Sequence, residues 1–130
     1  MKTDRRHTIL LADDDPLIIS LYQTKFKKLG YDLIIATDGD EALQKAKEAK
    51  ADIILLDRML PNIDGLEVLE NLRQMPETKN LPVLILTNRD PGSDELEKAK
   101  KLGALDYLIK ERIDLGVLAS RIKEILNQRA

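Results

Sequence analysis

At 130 residues the chain has the length of one domain with a real core, and 43% hydrophobic with 34% charged content is that of a soluble globular protein. A formal net charge of -2 gives no bulk electrostatic reason to expect direct nucleic-acid or membrane binding, and the absence of cysteine excludes a disulfide framework and a thiolate metal site. Residues 1–7 carry Lys2, Arg5 and Arg6 with no apolar segment of signal-peptide length behind them, so a cytoplasmic domain is expected.

The first element is the apolar run Ile9-Leu10-Leu11-Ala12, which stops on Asp13, Asp14 and Asp15. Ile18, Leu21, Tyr22, Phe26 and Leu29 then recur at helical spacing, with Pro16 suited to the first turn and Gly30 to the exit. A second strand reads Leu33-Ile34-Ile35-Ala36. Asp38 and Glu41 follow at capping-box spacing and open a helix that should bury Ala42, Leu43, Ala46 and Ala49. Ile53-Ile54-Leu55-Leu56 runs into Asp57. The turn cluster Pro61-Asn62-Ile63-Asp64-Gly65 leads to a helix carrying Leu66, Leu69 and Leu72, with Pro76 at or just beyond its end. Val83-Leu84-Ile85-Leu86 runs into Thr87. Ser93 is expected to cap a helix bearing Leu96, Ala99 and Lys100, stopped by Gly103. Tyr107-Leu108-Ile109 runs into Lys110, and a last helix from about residue 115 has Leu118, Ile122 and Ile125 in phase.

Strand and helix thus alternate five times with short links, which predicts an α/β fold: a parallel sheet with helices on both faces. Apolar runs without alternation are what a sheet buried on both sides requires. No linker or low-complexity segment divides the chain and the last helix reaches almost to Ala130, so residues 1–130 are expected to form a single domain.

If the runs are neighbouring parallel strands, their polar ends gather on the carboxyl edge of one sheet, where ligands bind in open α/β folds. Adjacent carboxylates such as Asp13 and Asp14 repel unless a cation neutralises them, and Mg²⁺, with Mn²⁺ as an alternative, takes oxygen ligands. The plainer reading is a solvated acidic turn ahead of a helix. Asp57 has little capping use, because the next helix starts several residues later, and its position suggests a solvent-reachable carboxylate able to attack phosphorus without a general base. Lys110 can pair with phosphoryl oxygens and the Thr87 hydroxyl can donate to another. Singly, these two are an ordinary solvated lysine and a strand-end threonine. A nucleotide-binding protein of the same fold would need phosphate-cradling groups after the first strand. Here Asp13-Asp14-Asp15-Pro16 repels phosphate, and one Phe and three Tyr leave little surface for stacking a flavin.

The motifs Leu11-Ala12-Asp13-Asp14-Asp15, Leu56-Asp57-Arg58-Met59-Leu60-Pro61, Asp64-Gly65, Leu86-Thr87 and Tyr107-Leu108-Ile109-Lys110, in this order, resemble those of the receiver domain of two-component response regulators, in particular single-domain chemotaxis-type regulators. The resemblance covers about residues 7–127. It implies a flavodoxin-like (βα)5 sheet of order 2-1-3-4-5 and a phosphorelay function, with Asp57 taking phosphate from a sensor histidine kinase or a histidine phosphotransfer protein. It makes Asp14 a direct Mg²⁺ ligand and Asp13 a ligand through water, with Asp57 and the Met59 backbone carbonyl completing the protein's share. Thr87 and Lys110 would bind the phosphoryl group and Tyr107 would act as an aromatic switch. An output protein would dock on the fourth helix, fifth strand and fifth helix, with the chain a monomer or a phosphorylation-dependent dimer.

Three positions depart from that pattern. Lys110 is followed by Glu111-Arg112 where the family usually has proline, which predicts a trans Lys110–Glu111 bond and a different path into the last helix. Asn88 stands where a small residue is usual and should narrow access to the phosphoryl group, and Arg89 is placed to reach over the site. Two other functions compete. A metal-dependent phosphohydrolase would want a second acid two residues after its nucleophile, where this chain has Met59. A pseudo-receiver would serve only as a protein-interaction module.

Overall fold

The computed structural model describes residues 6–88 and 91–128. In chain order the elements are β1 (Thr8–Ala12), α1 (Pro16–Lys28), β2 (Asp32–Ala36), α2 (Gly39–Glu48), β3 (Ile53–Asp57), α3 (Gly65–Gln74), β4 (Val83–Thr87), α4 (Ser93–Lys101), β5 (Asp106–Ile109) and α5 (Leu115–Gln128), with one 3₁₀ turn at Lys110–Arg112. All strand pairs are parallel and the order is β2-β1-β3-β4-β5, the flavodoxin-like arrangement.

The pleat sorts each apolar run onto two faces. Ile9, Leu11, Ile53, Leu55, Leu84 and Leu86 share a core with Tyr22 and Phe26 of α1 and Leu118, Ile122, Ile125 and Leu126 of α5. Leu10, Ala12, Ile54, Leu56, Val83 and Ile85 pack with Ala42 and Ala46 of α2 and Val68, Leu69 and Leu72 of α3. The four-residue apolar runs of β1, β3 and β4 have no exposed surface, so they could not alternate apolar with polar residues.

Most helix ends follow the local chemistry read from the chain. Asp15 caps α1 by accepting from the Leu17 N–H, and Gly30 follows its last turn at φ +92°, a conformation that suits glycine. Asp38 accepts from the Glu41 N–H at 2.7 Å, while the returning carboxylate of Glu41 reaches the Thr37 N–H, one residue earlier than a standard capping box. Pro76 lies beyond α3, and Gly103, at φ +84°, follows α4.

Some expectations fail. Gly92, not Ser93, occupies the cap position of α4, and Ser93 is already helical with no side-chain cap bond. Leu21 and Leu29 are half exposed: Leu21 lies off the stripe that carries Tyr22 and Phe26, and Leu29 is the C-cap residue, beyond the last turn of α1. Leu43 and Ala49 are only partly buried.

Candidate functional site

Strand register builds the site. Ala12 pairs with Leu56, which puts the next residues, Asp13 and Asp57, level on adjacent strands. Asp57 pairs with Leu86, so Thr87 stands one step further out, and Thr87 pairs with Ile109, one residue before Lys110. Tyr107 pairs with Ile85 on β4, so by the two-residue pleat repeat it lies on the same sheet face as Thr87. Four chain segments thus deliver their polar ends to one edge, as the sequence pattern predicts.

The side chains converge there. Lys110 Nζ lies 3.0 Å from Asp57 Oδ2 and 2.6 Å from Asp13 Oδ2, with the lysine side chain only 7% exposed. Asp57 Oδ1 accepts from the Met59 N–H at 3.1 Å, and Asp13 Oδ1 from the Asp15 N–H at 2.9 Å. Burial pushes the Asp13 carboxyl above its ordinary value, against the opposing pull of Lys110 and the Asp15 N–H. Burial would lower Lys110, but its bonds to Asp13 and Asp57 outweigh that and hold the ammonium above its ordinary value. Thr87 is buried beside this cluster on the strand edge, and Asn88 is exposed. Arg89 lies outside the described residues.

Asp57 is not the solvent-reachable acid its position suggested: it is 2% exposed. Lys110 lies against it and neutralises two buried carboxylates, Asp57 and Asp13. The Lys110–Glu111 bond is trans, since no described peptide bond is cis, and the chain turns there through the 3₁₀ segment.

Asp13, Asp14 and Asp57 each offer a carboxylate oxygen, and these oxygens lie within 4.8 Å of one another. Asp13 Oδ2 is buried and has no well-aligned hydrogen bond, its approach to Lys110 being chiefly charge on charge. Three acids against one lysine, with a buried oxygen short of a donor, fit a hard divalent cation.

Two glycines let the loop after β3 sit where it does. A Cβ at Gly65 would strike the backbone of Asp57 and Arg58, and one at Gly39 would strike Ile63. The Gly65 N–H donates to the Arg58 carbonyl at 2.9 Å, which closes the turn directly beneath Asp57. Sequence reading marked Gly65 as a turn residue but not as the floor of the site. It also gave no role to Arg58 and Glu95. Arg58 Nε donates to Glu95 Oε2 at 3.0 Å, Arg58 Nη1 pairs with Asp64, and the Tyr107 hydroxyl donates to the same Glu95 Oε2. A basic residue directly after the acid and an acid in the first turn of α4 were the available signals.

The fold and this site define a class. The family model of the response regulator receiver domain matches residues 9–123, and the chain belongs to that family. The chain is 43% identical over 120 residues to the alkaline phosphatase synthesis transcriptional regulatory protein PhoP of Bacillus subtilis, a match covering 92% of this chain and 48% of that protein. It therefore spans about half the length of the curated relatives it matches. The receiver domain of the Francisella response regulator 1452 superposes with a TM-score of 0.85 at 34% identity, covering 96% of this chain and all of that one. The receiver domain of the Pseudomonas aeruginosa sensor histidine kinase PA1611, solved with magnesium coordinated in its active-site cleft, matches at TM-score 0.78 and 27% identity over 95% and 97% of the two chains. With a transcriptional regulator among these relatives, the expectation of no nucleic-acid partner gains no support from them. No helix among the described residues is long and apolar enough to cross a membrane.

Proposed function

We propose that this receiver domain is a phosphorylation switch in which Asp57 gains the phosphoryl group from a sensor histidine kinase or histidine phosphotransfer protein. The observation that carries the reading is the position of Lys110, bridging Asp57 and Asp13 beside an acidic trio at metal-ligand spacing.

A carboxylate oxygen of Asp57 forms the new O–P bond while the P–N bond of a phosphohistidine breaks and its electron pair leaves with the imidazole. For the reaction to proceed Lys110 must swing from Asp57 Oδ2 to the transferred group, where it pairs with a phosphoryl oxygen as a point charge. Thr87, one strand over, donates its hydroxyl to another oxygen. The Met59 N–H holds Asp57 Oδ1 and so orients the carboxylate. Mg²⁺ or Mn²⁺, held by Asp14 directly, by Asp13 through water, by Asp57 and by the Met59 backbone carbonyl, would supply the positive charge that offsets repulsion between carboxylate and phosphoryl group. Tyr107 shares a sheet face with Thr87 and would follow it when Thr87 turns to the phosphoryl oxygens.

The output partner would dock across α4, β5 and α5, where Val117 is 68% exposed at a cleft lined by Leu108 and Ile113. The chain would act in the cytoplasm as a monomer or as a dimer formed on phosphorylation, with no catalytic turnover beyond gain and loss of its own phosphoryl group.

Incubation with acetyl phosphate and Mg²⁺, followed by intact-mass measurement, tests the proposal. A stoichiometric, acid-labile gain of one phosphoryl group is expected. Sustained substrate turnover would make the protein a phosphohydrolase, and no adduct would make it a pseudo-receiver.

A further inference from the structure

Arg58, next to Asp57, is held on both sides by backbone. Its N–H donates to the Leu86 carbonyl at 2.7 Å and its carbonyl accepts from Gly65 at 2.9 Å. From that fixed base its side chain crosses to α4, where Nε meets Glu95 Oε2 at 3.0 Å. The same oxygen accepts the hydroxyl of Tyr107 from β5. The other arm of the guanidinium pairs with Asp64, the cap of α3. One carboxylate oxygen therefore joins the loop after Asp57, the first turn of α4 and the aromatic ring of β5.

An exposed ion pair would contribute little, but the Arg58 and Glu95 side chains are only 19% and 25% exposed. A shared acceptor also couples its donors: the ring cannot leave without releasing Glu95 Oε2, and Glu95 cannot turn away without freeing the ring. Tyr107 packs against the α2–α3 side core, on the sheet face it shares with Thr87. Its hydroxyl bond to Glu95 must break if the ring is to advance toward Thr87.

We infer that Glu95, held in place by Arg58, is a positioning residue for the phosphorylation switch, retaining the Tyr107 ring against α4 until the site is phosphorylated. This rests on the reading of Asp57 as phosphoacceptor. It assigns the restraint to one side-chain oxygen, so the restraint should survive loss of charge and fail with loss of the acceptor. Glu95→Gln keeps a carbonyl oxygen for both donors, whereas Glu95→Ala removes it.

The test has two readouts on the intact protein. In the unphosphorylated state, NMR with labelled tyrosine, assigned through Tyr107→Phe, should show the Tyr107 ring signals displaced in Glu95→Ala toward their beryllofluoride-bound positions. In Glu95→Gln they should stay near wild type. In acetyl phosphate labelling, Glu95→Ala should gain label about fivefold faster, in line with coupling between two sites, and Glu95→Gln within about twofold of wild type. In a Tyr107→Phe background Glu95→Ala should add nothing, because the hydroxyl it acts through is already gone. The inference is overturned if the ring signals of Glu95→Ala do not move, if its labelling is unchanged or slower, if Gln behaves as Ala, or if the effect persists without the hydroxyl. Labelling of Asp57→Ala, or none in wild type, would sink the phosphoacceptor reading instead, and the ring signals would still decide the role of Glu95.

Discussion

Asp57 and Lys110, 53 residues apart in the chain, meet at 3.0 Å, and the same ammonium lies 2.6 Å from Asp13. Two largely buried carboxylates thus share one cation, and a third acid, Asp14, stands exposed at the rim. The arrangement leaves net negative charge at the end of the sheet, balanced in part by a group that the proposed phosphorylation requires to move. Stability and chemistry therefore pull against each other here, and substitutions should separate them.

Lys110→Ala should destabilise the fold by about 3–5 kcal/mol, because it leaves two buried carboxylates without their counter-charge. Since the lysine's folded-state pKa is raised, its stabilising contribution is fully present below its ordinary value of 10.5 and is lost as pH rises through the folded value. Denaturant unfolding should show the difference between wild type and variant shrinking only at strongly alkaline pH. A constant difference across that range would mean the ammonium is not the stabilising element.

Asp13→Asn should stabilise the fold at neutral pH without metal, by about 1 kcal/mol in denaturant unfolding, because one member of a repelling, partly desolvated acid cluster becomes neutral. Asp57→Ala should keep or increase stability for the same reason, Lys110 retaining Asp13 as its partner.

Added Mg²⁺ should stabilise wild type, by about 2.7 kcal/mol at a hundredfold excess over its dissociation constant. Asp14→Ala should lose more of that gain than Asp13→Ala if Asp14 binds the ion directly and Asp13 through water. Metal titrations followed by melting temperature check this, and equal or reversed losses would reassign the ligands.

Gly65→Ala should cost roughly 1–3 kcal/mol as an overpacking change, and it should also slow phosphorylation, because the added methyl strikes the backbone of Asp57 itself. Arg73→Ala makes the contrast. Arg73 donates to the carbonyls of Thr78, Lys79, Leu81, Leu102 and Gly103, tying the end of α3 to the segments that precede β4 and β5. Its loss should destabilise by about 2–4 kcal/mol through carbonyls left without donors, with little effect on the labelling rate of the folded protein. Unfolding and acetyl phosphate kinetics on both variants separate floor from clamp.

The site was legible where chemistry sits at the ends of apolar runs. Asp13, Asp57 and Thr87 each follow four fully buried residues, and Lys110 ends the partly buried run Tyr107-Leu108-Ile109. Strand identity and order of elements were legible for the same reason. What escaped were relations made by side chains reaching between elements. Arg73 reads as one more solvated cation on a helix, and nothing local reveals the five carbonyls awaiting it. Glu95 reads as a helix-start acid favoured by the dipole. Leu29 shares helical phase with Phe26, but phase does not say that the helix ends at Lys28, one residue before it. The Lys110–Asp57 contact escaped because it joins residues 53 apart in the chain.

Locating the modified residue decides whether Asp57 receives the phosphoryl group. Protein labelled with acetyl phosphate and Mg²⁺ is reduced with borohydride, which converts an aspartyl phosphate to homoserine, and is then cut with trypsin. The peptide after Lys50 and ending at Arg58 contains two aspartates, Asp52 and Asp57, which fragment masses distinguish. Homoserine at position 57, absent when the Asp57→Ala protein is treated in the same way, is the predicted result. Homoserine at position 52 or in any other peptide, or an unreduced chain after full treatment, would contradict it.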